Sequence, residues 1–362
     1  MNCAKWSPTN DTKVHTRDSN IELLRIVSIF LIIFVHQLSH GLGYNKGNIV
    51  ANLFFGCFTT PVINAFIFIS GYFGLRFKWK IFISLVLQAI FYSIIIYLIG
   101  ILFFPNISFE IGLFIKSFFP LTTYLWWFIS VYMLLYVLSP LINKGLERLN
   151  KRQFLIVTLS LLLLNFTLFF SIFLDVSHKN SPIISVCVNF IDFLSVYVLG
   201  RYMYANHIYP KKAFLKYFLA CMLFIVTIIV FVLAFSNHND YIGRVFRDNN
   251  PLTFLSGIYL FFTFKSMNLK YYRIINNTSP LILGVYMIHD HLYIRELLAK
   301  CVNFIYSISL NNTFLYIELI IFSMIVFLIA AGIEKLRRKL FKPVENSIEQ
   351  YILHRLKFLK KA

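Results

Sequence analysis

Residues 20–40 read NIELLRIVSIFLIIFVHQLSH, and this stretch decides the fold. The apolar run it belongs to, residues 21–43, is long enough to cross a bilayer, which takes about 20 apolar residues at about 1.5 Å each. Residues 1–20 are polar, and no small-residue cleavage site follows the run, so it reads as a retained signal anchor. Inside it stand four groups that lipid does not tolerate unpaired: Glu22, Arg25, His36 and His40. Eleven steps at about 100° bring His36 to within about 20° of the Arg25 face, about 16 Å further along the helix. One stripe therefore carries a guanidinium at one end and an imidazole at the other, with Glu22 and His40 flanking them.

Nine more apolar runs follow, at about 50–75, 81–104, 122–142, 153–174, 183–204, 213–236, 251–268, 279–300 and 313–335. The sequence thus predicts an all-α, polytopic integral membrane bundle of about ten transmembrane helices. Composition agrees: of the 362 residues 59% are hydrophobic and 14% charged, and the mean hydropathy is +0.73. A soluble domain carries about a quarter charged residues. Pro105, Pro120, Pro182, Pro210, Pro251 and Pro280 fall at or near run edges, where a missing N–H is tolerated. A repeated ten-residue alternation, the mark of a membrane barrel, is missing.

The net charge of +19 in a soluble chain would suggest nucleic acid. Here the cations sit at the ends of runs, so no nucleic-acid partner is expected. With the N-terminus inside and ten alternating spans, 27 of the 34 basic residues fall inside. The outside keeps Lys46, Lys116, Lys179, Arg244, Arg247, Arg295 and Lys300. Both termini are therefore expected in the cytoplasm. The chain divides into a cytoplasmic segment 1–20, a transmembrane domain 21–335 and a basic tail 336–362. That tail mixes Leu336, Leu340, Phe341, Ile348 and Ile352 with many cations, and reads either as an amphipathic helix on the inner leaflet or as an ordinary tail. Cys3, Cys57, Cys187, Cys221 and Cys301 have no metal spacing, and four of them sit in apolar runs as small hydrophobes, so no metal is expected.

The ninth run holds Gly284-Val285-Tyr286-Met287-Ile288-His289-Asp290-His291. His289 lies close to mid-membrane and meets His36 if the two helices pack. On a continuous helix His291 points about 200° away from His289, so only one of them faces a shared site. Asp290 or Asp192 is placed to hold an imidazole in one tautomer. Arg25, Arg76, Lys78 and Lys80 also fit plain topology determinants, Trp126-Trp127 an aromatic-belt anchor, and Ser70-Gly71 close helix packing.

These residues resemble the acyltransferase family 3 of integral membrane acyltransferases, along essentially the whole chain. The resemblance rests on Arg25 and His36 at their spacing, on Phe68-Ile69-Ser70-Gly71-Tyr72-Phe73, on Leu125-Trp126-Trp127-Phe128 running to Leu138-Ser139-Pro140-Leu141, and on Gly284 to His289. The family's Arg-x-x-Arg element at the start of the third span is replaced here by Arg76-Phe77-Lys78-Trp79-Lys80, which keeps charge but not spacing. The resemblance implies a multi-pass protein of a bacterial plasma membrane. It implies transfer of an acyl group, usually acetyl, from acetyl-coenzyme A to a sugar hydroxyl of a surface polysaccharide or lipid-linked precursor. His36 would be the base or the acyl carrier, with His289 and Asp290 assisting, His289 by donating to the oxyanion. Arg25, Arg76 and Lys78 would hold the carrier's phosphates, and Trp126 and Trp127 would stack on the sugar. Competing readings are a flippase or a polymerase of lipid-linked oligosaccharides, and a membrane-bound O-acyltransferase of another fold. Paired halves with broken helices, a large arginine-bearing outer loop and a lone late histidine, respectively, would favour them.

Overall fold

The structure is a computed structural model that describes residues 18–43, 46–103, 108–173, 182–234 and 245–359. Residues 1–17, and with them Cys3, Lys5, Lys13 and Arg17, lie outside the described residues, as do Pro105, Lys179, Arg244, Lys360 and Lys361. The described elements are helices, with no strand among the described residues. In chain order they are α1 (Ser19–His36), α2 (Ile49–Thr59), α3 (Val62–Phe73), α4 (Trp79–Phe103), α5 (Ile111–Lys116), α6 (Trp127–Glu147) and α7 (Lys151–Phe173). Then come α8 (Pro182–Ala205), α9 (Ala213–Ala234), α10 (Pro251–Lys265), α11 (Arg273–Thr278), α12 (Ile282–His289), α13 (Leu292–Ile308) and α14 (Asn312–Leu359).

Among the described residues, seven of the ten expected spans are helices long and apolar enough to cross a membrane, and the expected seventh is a shorter apolar helix, Ala213–Ile229. The first is α1 with its continuation to Leu42, the second α2 and α3 joined through a turn at Thr60-Pro61, and the others α4, α6, α7, α8 and α14. The expected eighth span, α10, is 15 residues long. The expected ninth span is broken into α12 and α13 at Asp290-His291.

The bundle is inverted relative to a water-soluble fold. On α7 the buried residues include Thr158 and Asn165, while Leu159 and Leu163 are 54% and 67% exposed. Lipid demands that polar groups turn inward and be satisfied there. Asn165 accordingly donates to Asp192 Oδ1 on α8 at 2.8 Å, and Thr158 to Phe154 O at 2.8 Å. Pro140 sits inside α6 and deprives Tyr136 O of its helical donor. The Ser139 hydroxyl donates to that carbonyl instead, at 2.7 Å. Cys57 and Cys221 are buried as small apolar groups, whereas Cys187 is exposed on α8.

Small residues set the tightest crossing. A Cβ on Gly71 of α3 would stand 2.4 Å from Tyr197 O of α8, and one on Gly200 of α8 would stand 2.8 Å from Tyr72 N. The backbones touch there, as small residues allow in membranes. Gly71→Val is expected to lower the stability of the detergent-purified protein by about 1–3 kcal/mol. Gly112→Ala, where a Cβ meets nothing within 4 Å, is the control. Equal melting temperatures for the two variants would refute a backbone-limited contact.

α14 runs through position 335 without a break, and described residues beyond it pack on α4. Phe341 meets Phe91 with ring centres 4.6 Å apart, Lys342 reaches Ser84 Oγ at 3.2 Å, and Glu349 reaches Lys80 at 3.4 Å. Arg337 is buried against Glu334, at 2.7 Å, and against Glu345. Glu334 also accepts from Tyr92 at 2.5 Å, so the apparent surplus of cations is partly internal.

α1 lies inside this frame, in contact with α2, α3, α10, α11, α12 and α14. Its stripe therefore faces protein on most sides.

Candidate active site

The last turn of α1 does not end as an ordinary helix. From Gln37 to Leu42 the backbone widens into a π-helical turn, a rare geometry that often occurs at functional sites. It leaves the His36 and His40 rings 5.1 Å apart, edge to face. His36 also lies 5.2 Å from the His289 ring. The expected meeting of His36 and His289 thus occurs, with helix α12 packed on α1.

The break after α12 builds the rest of the site. A helix end strands its last carbonyls, and a buried end must find donors for them. Asp290 N donates to Tyr286 O at 3.1 Å, and Trp126 Nε1 donates to Met287 O at 3.1 Å. Arg295, from the first turns of α13, donates to Asp290 O at 3.1 Å. The His291 side chain caps α13 by accepting from Tyr293 N at 3.4 Å. One tertiary donor, Trp126, and one local donor, Arg295, cover carbonyls at the break.

The break turns the Asp290 carboxylate onto His36. Asp290 Oδ1 lies 3.3 Å from His36 Nδ1 and takes Arg295 Nη2 at 2.7 Å. The histidine contact is within reach but not aligned as a hydrogen bond. Asp290 is 2% exposed, whereas the His36 side chain keeps 23% of its surface open. A carboxylate facing Nδ1 favours the tautomer with its proton there, leaving the Nε2 lone pair free. His289 is fixed differently. Its Nδ1 lies 2.8 Å from Val285 O, which only accepts, so Nδ1 carries the proton. Its Nε2 is buried without a partner and, in the neutral ring, is an acceptor. The expected role of His289 as oxyanion donor does not fit that tautomer.

Ligand atoms of His36, His40 and Asp290 lie within 4.8 Å of one another, close enough for one metal ion. Arg295 already brings positive charge to Asp290 Oδ1, which weighs against a second cation there.

The other expected residues divide. Arg25 stands beside Glu22 at a loose 3.9 Å and over the Phe66 ring at 5.9 Å, with its Nε buried and unpaired. Glu22 is instead bound by the Ser279 hydroxyl. The guanidinium is thus weakly matched, while the Ser28 hydroxyl, further along α1 toward His36, is also buried without a partner. Arg76 and Lys78 are exposed in the connection from α3 to α4. A cleft of about 810 Å³ lies beside the Ser19 end of α1, lined by Tyr271, Asn276, Asn277, Thr278, Lys335 and Arg338 among others. Asn276 ties that cleft to α1 through Ser19 Oγ at 2.7 Å. Neither this cleft nor the small pocket at His36 is lined by both Arg25 and His36.

Trp126 is a correction. It is fully buried and spends its N–H on Met287 O, with its ring 5.8 Å from that of His291. It is neither a belt anchor nor a sugar platform; it covers a carbonyl at the break. Trp127 is half-buried and borders a separate polar cavity. Asp192 lines that cavity too and does not serve His36. Arg295, which its position alone marks as an outer topology charge, is instead the partner of Asp290. An arginine five residues after Asp290 in an apolar run was the available signal.

A family model described as an acyltransferase domain matches residues 18–333. No curated protein and no solved structure matches the chain.

Proposed function

The chain belongs to the acyltransferase family 3, and from that premise we propose that it carries an acyl group, acetyl by preference, from acyl-coenzyme A to a sugar hydroxyl of a cell-surface polysaccharide or its lipid-linked precursor. The observation that carries the reading is the buried Asp290 carboxylate, held by Arg295 and standing 3.3 Å from His36 Nδ1. This is the base-and-orienter logic of acyl transfer.

A sugar hydroxyl is too weak an acid to attack unaided at neutral pH, so its proton must be taken as attack occurs. His36 Nε2 accepts that proton while the hydroxyl oxygen bonds to the thioester carbonyl carbon. The tetrahedral intermediate then expels the carrier's sulfur as the carbon–sulfur bond breaks. The proton on Nε2 passes to the leaving thiolate, and an ester and a free thiol result. Asp290 keeps the ring in the required tautomer and stabilises the imidazolium between the two transfers. An alternative route bonds the acyl carbon to His36 Nε2 first, with the carrier leaving as its thiol; the unpartnered Nε2 of His289, its ring 5.2 Å away, then takes the sugar's proton as the hydroxyl oxygen displaces the imidazole.

The donor enters from the Ser19 end, which the charge asymmetry assigns to the cytoplasm. Arg25, together with Lys335 and Arg338 of the cleft, offers phosphate-binding cations there. Arg76 and Lys78 contribute field from the exposed α3–α4 connection. From Arg25 to His36 the pantetheine arm has about 16 Å of α1 to span. The protein is then a multi-pass enzyme of the cell membrane.

The test uses purified protein, radiolabelled acetyl-coenzyme A and glycan extracted from the expressing cells. Label is expected to appear in base-labile esters on the glycan. Movement of a lipid-linked sugar across vesicles without ester formation would point to a flippase instead.

A further inference from the structure

Arg295 also borders a second cavity, of about 450 Å³, within the range of about 300–1,000 Å³ usual for small-molecule sites. Its lining comes from four places: Trp127 from α6, Asn189 and Asp192 from α8, Arg247 and Asp248 from the segment before α10, and Arg295 from α13. These elements converge at the end of the bundle opposite Ser19.

Four buried polar atoms on this lining have no partner: Asp192 Oδ2, Asn249 Oδ1, Arg247 Nε and Arg295 Nε. Asp192 and Asn249 are only 2% and 3% exposed. Each unmade bond of this kind costs about 1–3 kcal/mol, so four around one space mark a place built for polar company. The set contains acceptors and donors together. Asp192 and Asp248 face Arg247 and an Arg295 already held by Asp290, so a phosphate is not favoured. A neutral ligand rich in hydroxyls, each both donor and acceptor, matches the pattern, and the half-buried Trp127 supplies an apolar wall.

Arg295 connects this cavity to the chemistry. It lines both the cavity and the pocket at His36, while its Nη2 holds Asp290. We propose that the cavity formed by Trp127, Asn189, Asp192, Arg247, Asp248 and Arg295 is the acceptor subsite, binding a short carbohydrate from the side opposite the acyl carrier. Arg295 is its positioning residue, set between the bound sugar and the Asp290–His36 pair. This rests on the acyl-transfer reading and names the place and side of entry of the acceptor for that same site.

The experiment compares cells expressing wild-type chain, Asp192→Asn and Asp248→Asn, reading acyl ester on the surface glycan by mass. The purified proteins are scored in parallel for binding of radiolabelled acetyl-coenzyme A. Both variants are expected to lower ester content about tenfold or more, the worth of one hydrogen bond to a charged group, with donor binding unchanged. Wild-type ester content in both variants would overturn the subsite. A parallel fall in donor binding would reduce both residues to structural roles and overturn it as well. No ester above the empty-vector level in wild-type cells would remove the acyl-transfer reading itself, and the subsite with it.

Discussion

His36→Ala is expected to abolish measurable acyl transfer to the surface glycan while the chain still inserts at the wild-type level. A positioned general base contributes about 10²–10⁴-fold. The loss should fall at the upper end, because the acyl-carrier route also runs through this ring. Packing should survive the substitution: the ring is partly open, and its protein neighbours are other polar rings and a carboxylate that Arg295 retains. Membrane-fraction yield and melting temperature of the purified variant check that side of the prediction. His289→Ala is the informative neighbour. With its Nδ1 committed to Val285 O, His289 offers no proton to an oxyanion in its neutral form, so its removal should cost less than that of His36.

The second large effect is expected at Asp290. Asp290→Asn keeps the shape but removes the charge that faces Nδ1 and pairs with Arg295. The amide can present its N–H₂ to His36 and so favour the wrong tautomer, with the proton on Nε2 where the base should be. A loss of about 10²-fold or more in turnover is expected, with acyl-coenzyme A affinity unchanged. A rise in KM for the donor with turnover intact would instead place Asp290 in carrier binding. Arg295→Lys should behave as a milder version, since the charge is kept but the shorter stem does not place its nitrogen where Nη2 meets both Asp290 O and Oδ1.

The parts of this site legible in sequence were those set by helical period. Arg25 and His36 share a face because eleven residues are close to whole turns, and that needs no tertiary information. His289 and Asp290 were visible as ionisable groups in an apolar run. The geometry joining them was not legible, because it is set by distant residues. Asp290-His291 contains neither glycine nor proline, and the carbonyls at the break are met by distant Trp126 and by Arg295 from the next helix. A continuous ninth span turned His291 about 200° from His289, and in the broken one both are buried beside the same centre. The π-turn after His36 leaves no mark in composition. Arg295 and Arg337 misled for one reason: counting cations by position says nothing of the buried carboxylates that receive them. The spans of α4, α7 and α8 were legible because nothing but length and apolarity defines them.

The central claim is that His36, oriented by Asp290, takes the proton that allows the thioester to be attacked. Its most direct measurement is release of free thiol from acetyl-coenzyme A by purified protein in the presence of glycan, run beside equilibrium binding of the same donor. The account predicts steady thiol release from the wild-type protein and background release from His36→Ala, with equal donor affinity in the two. Thiol release by His36→Ala at the wild-type rate would contradict it.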